Sequence, residues 1–319
     1  MSKFTSKIFG PVPSRRLGRS SGIDIIPFKT CTYDCIYCQL GKTTDKTDKC
    51  SEFCPVGEIV ANVEKAVKSI PNIDYLTLSG SGEPLLHSGA PKLVDILKRE
   101  FNIPVAVLTN GSLLYRNEIA DTLANADVVM PTLAADCERT FEIIHRPYQT
   151  IKFDNVIEGI IKFSKKFDHE LWLEVFLIEG INSEIDKIKS IKTIINQIEP
   201  HKVQVNTVTR PASDESAVAV NEKKLNDLKN IFGDKAEIIT DYSGKPDLEN
   251  SQTGGLENKI ITLLERRPCT EKDIVEALLA HKVEVIKILE ELINMGIVEA
   301  RPQHGKIFYM QKRKLKSQD

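Results

Sequence analysis

The chain has 319 residues, of which 41% are hydrophobic and 28% are charged, a composition typical of globular proteins with a buried core. Its formal net charge is −2, which excludes a global polycation that would bind nucleic acid through net charge alone. No run approaches the roughly 18 apolar residues of a membrane span, and residues 1–16 lack the apolar core of a signal peptide. Seven cysteines fit a reducing compartment, so the sequence predicts a cytoplasmic protein with no membrane contact.

After an N-terminal segment, Phe9–Arg19, that contains several Gly and Pro residues, apolar, strand-like runs alternate with amphipathic stretches. The predicted strands are Gly22–Pro27, Tyr75–Ser79, Val105–Thr109, Asp127–Thr132, Leu171–Leu177 and Lys202–Val208. The predicted helices between them are Val56–Ser69, Pro91–Phe101, Glu118–Ala124, Ile151–Lys166, Glu184–Ile198 and Asn221–Phe232. This alternation predicts an α/β fold with a parallel sheet and right-handed crossovers. It favours a partial (β/α)6-type TIM barrel, whose chemistry lies at the carboxyl ends of the strands.

A second domain is predicted after residue 255. Residues 241–255 have the composition of a linker. The helices that follow are Leu256–Arg266, Glu271–Leu279 with Thr270 as its N-cap, and Val283–Met295 ended by Gly296, and the strands are Ile297–Arg301 and Lys306–Gln311. Three helices and a β-hairpin predict a winged helix-turn-helix. We therefore expect a barrel domain over 1–240, a linker over 241–255 and a winged helix over 256–319.

Three cysteines, Cys31, Cys35 and Cys38, lie within eight residues directly after the first predicted strand. A [4Fe-4S] cluster is normally held by four thiolates, so three on one short loop leave one iron open to another ligand. A structural zinc site is an alternative, because zinc takes four ligands and Cys50 with Cys54 would complete a set. Three unremarkable core cysteines are the remaining interpretation.

The spacing resembles the CxxxCxφC motif (φ, aromatic) of the radical S-adenosylmethionine (SAM) superfamily, with Tyr37 at the aromatic position. The resemblance implies a [4Fe-4S] cluster bound by Cys31, Cys35 and Cys38, and SAM with its adenine against Tyr37. It implies reductive cleavage of SAM to methionine and a 5′-deoxyadenosyl radical, with chemistry that belongs to the cofactors. A one-electron donor of the flavodoxin or ferredoxin type is then an expected partner.

Three later segments, each at the end of a predicted strand, match SAM-binding segments of the superfamily. Ser79–Pro84 resembles the GGEP segment that binds the SAM amino group, with Ser81 in place of the first glycine. By the same resemblance Asn110 faces the ribose or the methionine carboxylate, although Asn is also typical of turns. Asp136 accepts from ribose hydroxyls or caps the next helix. The SAM-binding residues implied in this way are Tyr37, Gly80, Gly82, Glu83, Pro84, Asn110 and Asp136.

The superfamily resemblance implies no role for four further residues that the sequence singles out. Glu174 and Asn206 are polar residues inside apolar strands, and such residues point into a barrel lumen or are hydrogen-bonded within the protein. Cys50 and Cys54 form a CxxxC pair in a long polar loop. Incidental thiols, an accessory cluster and a redox pair all remain open for them.

The segment Phe9–Ser20 and the run that leads into the cysteines resemble, more narrowly, the wyosine-synthase-like group, from residue 9 to about residue 240. In the tRNA wyosine synthases a guanine beside the anticodon is condensed with pyruvate carbons, and a second cluster is held by cysteines upstream of the radical motif. This chain has no cysteine before Cys31. The resemblance therefore implies an RNA base as a substrate class without extending to the wyosine reaction.

Two basic features bear on the partner. Arg15, Arg16 and Arg19 form a solvated arm or grip a substrate phosphate or carboxylate, since an Arg fork matches both. The predicted winged helix mixes basic and acidic residues on its third helix and is more basic in its wing, at Arg301 and Lys306. Contact with RNA, DNA or protein stays open, with RNA ahead of operator DNA.

Three hypotheses follow for function. The first is a radical SAM enzyme that modifies a substrate such as an RNA (tRNA) base. The second keeps the radical chemistry but acts on a small metabolite or a protein, with the winged helix as a docking module. The third is a non-catalytic iron–sulfur, redox-sensing DNA-binding regulator, which Tyr37 and Gly82–Pro84 disfavour because a sensor needs no SAM site.

Overall fold

The computed structural model describes residues 4–14, 16–70, 72–239, 255–278, 280–303 and 305–312. They form two compact units, one of residues 4–208 with 212–239 and the other of residues 255–312 with 209–211. Apart from Gly255, the predicted linker lies outside the described residues, as does Arg15. The predicted domain boundaries therefore stay predictions.

The first unit alternates strands and helices along the chain. Its strands are β1 (Lys7–Ser14), β2 (Gly18–Asp24), β3 (Thr30–Cys31), β4 (Asp45–Lys46), β5 (Tyr75–Leu78), β6 (Val105–Thr109), β7 (Val128–Leu133), β8 (Glu170–Leu177), β9 (Lys202–Thr207) and β10 (Ala236–Ile238). Its helices are α1 (Val56–Ser69), α2 (Ala90–Glu100), α3 (Asn117–Ala120), α4 (Glu138–His145), α5 (Phe153–Lys166), α6 (Ile185–Ile198) and α7 (Glu222–Phe232), with 3₁₀ turns at Pro84–Leu86 and Asp121–Leu123.

One sheet organises this unit, in the order β1-β2-β5-β6-β7-β8-β9-β10. β1 is antiparallel to β2, and the pairings from β2 to β10 are parallel. This confirms the predicted α/β class with a mostly parallel sheet. The edge strands β1 and β10, and helix α4, were not predicted. β2 also ends at Asp24, earlier than expected, because its pairing with β5 stops at Ile23 opposite Leu78, the last residue of β5.

The outer face of the sheet carries the main hydrophobic core. Successive residues of a strand point to opposite faces, and one set of alternate residues, such as Leu76 and Leu173, is fully buried. These residues pack in one cluster with helix residues such as Leu93 and Ile160. Consecutive residues of β8 and β9 are buried, so both faces of these strands are covered, which explains why the strands appear in the sequence as nearly continuous apolar runs.

The inner face is closed by the turn between β1 and β2. Leu17 packs there in one cluster with Met130 and Trp172, and Arg16 pairs with Glu174. Since neighbouring strands lie about 4.8 Å apart, a flat sheet would separate the start of β2 from β8 by roughly 19 Å. An Arg–Glu contact over that separation requires the sheet to curl around its inner face, as in a partial barrel.

The second unit contains three helices and a hairpin. They are α8 (Leu256–Arg266), α9 (Glu271–Leu278), α10 (Lys282–Asn294), β11 (Val298–Gln303) and β12 (Lys306–Gln311). Thr270 Oγ1 accepts from Asp273 N at 3.1 Å and so caps α9 as predicted. The hairpin turn is tighter than predicted, because Pro302 pairs with Ile307. No described helix in either unit is long and apolar enough to cross a membrane.

Candidate cluster and cofactor site

The cysteine loop, defined here as residues 29–38, follows β2 at the carboxyl end of the sheet. Backbone hydrogen bonds fasten it on two sides. Lys29 N donates to Ser81 O at 2.7 Å, which ties the loop to the turn after β5. Ile36 N donates to Ile144 O at 2.9 Å, which ties it to the end of α4. The fold itself therefore holds the loop in place.

The three cysteines of this loop are partly exposed free thiols. The pKa of Cys31 is raised to about 12, because the thiol is shielded from water and lies near the Glu83 carboxylate. The pKa of Cys35 is also raised, by burial and then by Cys31 and Cys38. The sulfurs are thus close enough to feel one another's charge. Iron binding must displace protons from these thiols.

Each of the three sulfurs faces a side-chain nitrogen. The pairs are Lys29 Nζ with Cys38 Sγ at 3.2 Å, His145 Nδ1 with Cys35 Sγ at 3.2 Å, and Asn110 Nδ2 with Cys31 Sγ at 3.6 Å. His145 is neutral, because burial lowers its pKa to about 3. The loop thus presents its three sulfurs to three potential hydrogen-bond donors on different segments of the chain.

This donor set fits an iron–sulfur cluster better than a zinc ion. Cluster ligands are cysteine thiolates whose sulfurs accept hydrogen bonds from nearby N–H groups. Within the described part of the chain, no three His, Cys, Asp or Glu side chains converge as the ligands of a single metal ion would. A [4Fe-4S] cluster needs no such convergence, because each cysteine binds a different iron.

The glycines of the turn after β5 bring it close to the cysteine loop. A Cβ at Gly82 would lie 1.8 Å from Thr30 O, and one at Gly80 would lie 2.4 Å from the Asp24 carboxylate. Asp24 is buried and accepts from Ser81 Oγ at 2.6 Å. We expected these glycines to permit close approach of a ligand. The structure gives them a packing reason as well, and their contact with SAM stays a prediction.

Glu83 joins the ends of β5 and β6. Its carboxylate is buried and accepts from Thr109 Oγ1 at 2.7 Å, Asn110 N at 2.8 Å and Leu85 N at 3.1 Å. Burial raises its pKa to about 7 even against these hydrogen bonds. Pro84 begins the 3₁₀ turn that Glu83 caps. Glu83 therefore braces the site in addition to any role toward SAM.

Asn110 directly follows β6, and Asp136 lies three residues after the end of β7. Asn110 Oδ1 accepts from Ser112 N at 2.9 Å, which is the turn role considered for it, while its Nδ2 donates to Thr32 Oγ1 at 2.8 Å. Asp136 is not the cap of α4, because Cys137 occupies the N-cap position. Its Oδ1 is buried and has no hydrogen-bond partner among the described residues. A ligand hydroxyl is a chemically suitable partner for that oxygen.

Tyr37 lies at the end of the cysteine loop over the inner face. Its ring stacks on Phe176 of β8, with centroids 4.0 Å apart and an interplanar angle of 17°. The pKa of its hydroxyl is raised by burial and then by the neighbouring Cys35 and Glu174. The predicted adenine neighbour thus lies between the cysteines and the barrel interior.

A polar network lies beneath Tyr37. Arg16 Nη2 donates to Glu174 Oε1, which also accepts from Asn206 Nδ2 at 2.9 Å. Thr132 Oγ1 donates to Glu174 Oε2 at 2.9 Å. Arg16 is therefore not part of a solvated arm, since its acidic partner lies far away in sequence. Glu174 and Asn206 point inward, in agreement with the expectation from their polarity.

Cys50 and Cys54 lie apart from the three-cysteine site. Cys54 is buried, and Cys50 Sγ donates to Leu85 O at 3.5 Å. His87 hydrogen-bonds Cys54 O through Nε2 at 2.9 Å and accepts from Gly89 N at 3.0 Å through Nδ1. Both ring nitrogens of His87 are thus used to fasten the loop. These contacts favour incidental thiols over an accessory cluster.

Four residues of the site were not predicted from the sequence: Asp24, Lys29, Thr109 and His145. Only Asp24 carried a signal, as an acidic residue inside an apolar strand. His145 belongs to the unpredicted helix α4 and is distant in sequence from the cysteine it faces.

The fold is an α/β fold with a mostly parallel sheet, and the candidate iron–sulfur site lies at the carboxyl end of that sheet. The sequence pattern of the Radical SAM superfamily matches residues 25–190. The chain belongs to this superfamily, whose cofactors are a [4Fe-4S] cluster and SAM, and it is an enzyme of that class.

Relatives match most of the chain. A UPF0026 protein of Methanocaldococcus jannaschii is 33% identical over 98% of this chain and 97% of its own length. A protein of Brachyspira hyodysenteriae named GTPase Obg is 39% identical over 96% of this chain, which spans 45% of that protein. A probable dual-specificity RNA methyltransferase RlmN of Thermotoga maritima is 25% identical over 65% of this chain and 61% of its own length.

Solved structures share the fold. A radical SAM methyltransferase from Sphaerobacter thermophilus superposes with a TM-score of 0.53, at 17% identity, over 69% of this chain and 66% of that one. At this identity the likeness concerns the fold alone.

Proposed function

We propose that this enzyme cleaves SAM reductively at a cluster held by Cys31, Cys35 and Cys38, and that it modifies a base in RNA. The observation that carries the cluster assignment is the set of three thiols, each facing a nitrogen, on one loop at the carboxyl end of the sheet. When bound, the cluster and SAM supply the 5′-deoxyadenosyl radical. An electron donor of the flavodoxin or ferredoxin type completes the proposal.

The SAM side of the site is proposed to run from Tyr37 to Asp136. Tyr37 offers an aromatic face beside the cysteines, which suits adenine. The unpartnered Oδ1 of Asp136 suits a ribose hydroxyl. Gly82 and Glu83 hold the turn after β5 against the cysteine loop, so they would fix where the amino group of SAM docks.

The substrate side is proposed to be the inner face beneath Tyr37. Enzymes that act on a base extrude it, hydrogen-bond its Watson–Crick edge and stack it on aromatic or apolar side chains. Glu174 and Asn206 supply a carboxylate and an amide there, and Phe176 supplies a ring. The likeness to the RNA methyltransferase of Thermotoga maritima supports RNA as the substrate class. The narrower resemblance to the wyosine-synthase-like group, which rests on Phe9–Ser20 and the run that leads into the cysteines, is proposed alongside it.

The second unit is proposed to be a winged helix that docks RNA. Three helices precede the hairpin, and Cys269 pairs through both backbone groups with Tyr309 of β12, at 3.0 and 2.7 Å. That pairing adds the short additional strand that winged helices place before their second helix. Arg301 and Lys312 are exposed on or beside the hairpin, where phosphate contacts would be salt-dependent.

Two measurements test the proposal. Anaerobic reconstitution with SAM and dithionite should yield 5′-deoxyadenosine from the wild type and none from Cys35→Ala. Absence of 5′-deoxyadenosine from the wild-type protein would contradict the cleavage step. Nucleoside masses of RNA from cells with and without the protein should differ by one modified nucleoside. Identical masses, with cleavage intact, would redirect the search to a small metabolite or a protein.

A further inference from the structure

Lys29 is an unusual lysine, because its side chain is turned into the protein toward a sulfur. The residue is 3% exposed, and Nζ lies 3.2 Å from Cys38 Sγ. Its backbone has a φ of 60°, a left-handed conformation that side chains seldom adopt. The bond from Lys29 N to Ser81 O, at 2.7 Å, holds that conformation.

The charge of Lys29 needs a negative partner. A buried ammonium is costly unless it is paired, and among the described residues no carboxylate lies within ion-pair distance of Nζ. A neutral thiol offers little compensation. A thiolate that binds iron offers a full charge-assisted hydrogen bond, which is about twice as strong as a neutral one.

We propose that Lys29 is a positioning residue that fixes a positive charge against the cluster and raises its reduction potential. The inference rests on the proposed assignment of Cys38 as a cluster ligand. Reduction adds one negative charge to the cluster, so a fixed cation stabilises the reduced form more than the oxidised form. Net charge and hydrogen bonds to the sulfurs are among the properties that set such potentials.

The other two sulfur neighbours make Lys29 distinct. Asn110, beside Cys31, carries no charge, and His145, beside Cys35, is a buried imidazole. Lys29, in contrast, brings an ammonium group to a sulfur. Glu83 lies near Cys31 and acts in the opposite sense. Lys29 thus brings a positive charge into direct contact with the sulfur of Cys38, and its removal should dominate the shift.

Potentiometric titration of the reconstituted full-length protein, followed by the electron paramagnetic resonance signal of the reduced cluster, tests this proposal. Lys29→Gln keeps a donor of similar length and removes the charge. At potentials where the wild-type cluster is only slightly reduced, the reduced-to-oxidised ratio should fall about tenfold, equivalent to a midpoint about 59 mV lower for one electron. Lys29→Arg should stay near the wild-type midpoint.

Lys46→Gln is the matched control. Lys46 is exposed, pairs with Cys31 in the β3–β4 bridge, and donates through Nζ to Arg146 O at 3.0 Å rather than to sulfur. Its loss removes the same charge from a nearby, solvent-screened position, so the midpoint should not move. Iron per chain and the thermal midpoint of each apoprotein are measured first, because a structural role would alter them.

Distinct results overturn the two levels of inference. A Lys29→Gln midpoint equal to that of the wild type, at equal iron content, overturns the role of Lys29. An equal fall of the midpoint potential in Lys29→Gln and Lys29→Arg overturns it as well, because Lys29→Arg keeps the positive charge. Lys29→Arg also keeps the proposal testable if Lys29→Gln folds poorly. A cluster that persists unchanged in Cys38→Ala instead contradicts the assignment of Cys38 as a ligand.

Discussion

Replacing Gly82 by alanine perturbs the contact between the turn after β5 and the cysteine loop. The added Cβ would lie 1.8 Å from Thr30 O and 2.9 Å from Ile26 Cγ2. The Thr30 carbonyl belongs to the backbone and accepts from Glu83 N at 3.2 Å, so it cannot turn aside as a flexible side chain would. The loop must shift. Overpacking of this kind typically lowers the free energy of unfolding by about 1–3 kcal/mol. In a unit of this size, each kcal/mol lowers the midpoint of thermal unfolding by roughly 2–4 °C.

The assay combines thermal unfolding of the apoprotein with iron content after reconstitution. We expect Gly82→Ala to unfold at a lower temperature and to hold less iron, because displacement of Thr30 moves Cys31. Gly57→Ala is the control, since nothing lies within 4 Å of a Cβ there. Gly57 lies in α1, where alanine should stabilise by about 0.4–1 kcal/mol. A Gly82→Ala protein with wild-type midpoint and iron content would refute the reasoning.

Three further predictions concern other parts of the chain. Arg16→Met should cost about 1.5–3 kcal/mol in urea unfolding, because the buried Glu174 would lose a charge-assisted hydrogen bond while it keeps those from Asn206 and Thr132; a loss under about 1 kcal/mol would indicate a solvated pair. Thr270→Ala should cost about 1 kcal/mol of helix stability, seen as faster amide exchange in α9, and unchanged exchange would count against the cap. The wild type and the variant with both Cys50 and Cys54 replaced by serine should each hold about four iron atoms per chain, and a wild type that holds more, with the excess lost in the variant, would reveal an accessory cluster.

The parallel part of the sheet was predictable because its strands are buried on both faces and so appear as short, nearly continuous apolar runs. Val105–Thr109 was predicted to the residue. The edge strands were not predictable in the same way. β1 contains Gly10, Pro11 and Pro13, which read as turn residues in sequence, yet an edge strand tolerates proline where no ladder bond is needed. β10 has only three residues, which are too few to show the alternation of apolar and polar residues that indicates a strand.

The site was predictable where it depends on spacing and not where it depends on packing. Cys31, Cys35 and Cys38 lie on one loop, so their proximity follows from the chain itself. The partners of the sulfurs come from three segments, and nothing in the sequence relates His145 to Cys35 across 110 positions. The contact of Arg16 with Glu174 was likewise not predictable, because it depends on packing between segments distant in sequence. Its basic neighbours suggested an exposed arm, whereas the curl of the sheet brings Glu174 against it.

The turn after β5 has two functions that cannot be separated by activity alone. Gly80 and Gly82 were expected to admit a ligand, but their missing side chains also leave room for Asp24 and Thr30. Glu83 likewise braces the ends of β5 and β6 through Thr109 and Asn110. A variant of this turn that no longer cleaves SAM has therefore not been shown to have lost a SAM contact. Only variants that keep the wild-type iron content and cluster spectrum, and that lose SAM binding, would assign the turn to the ligand.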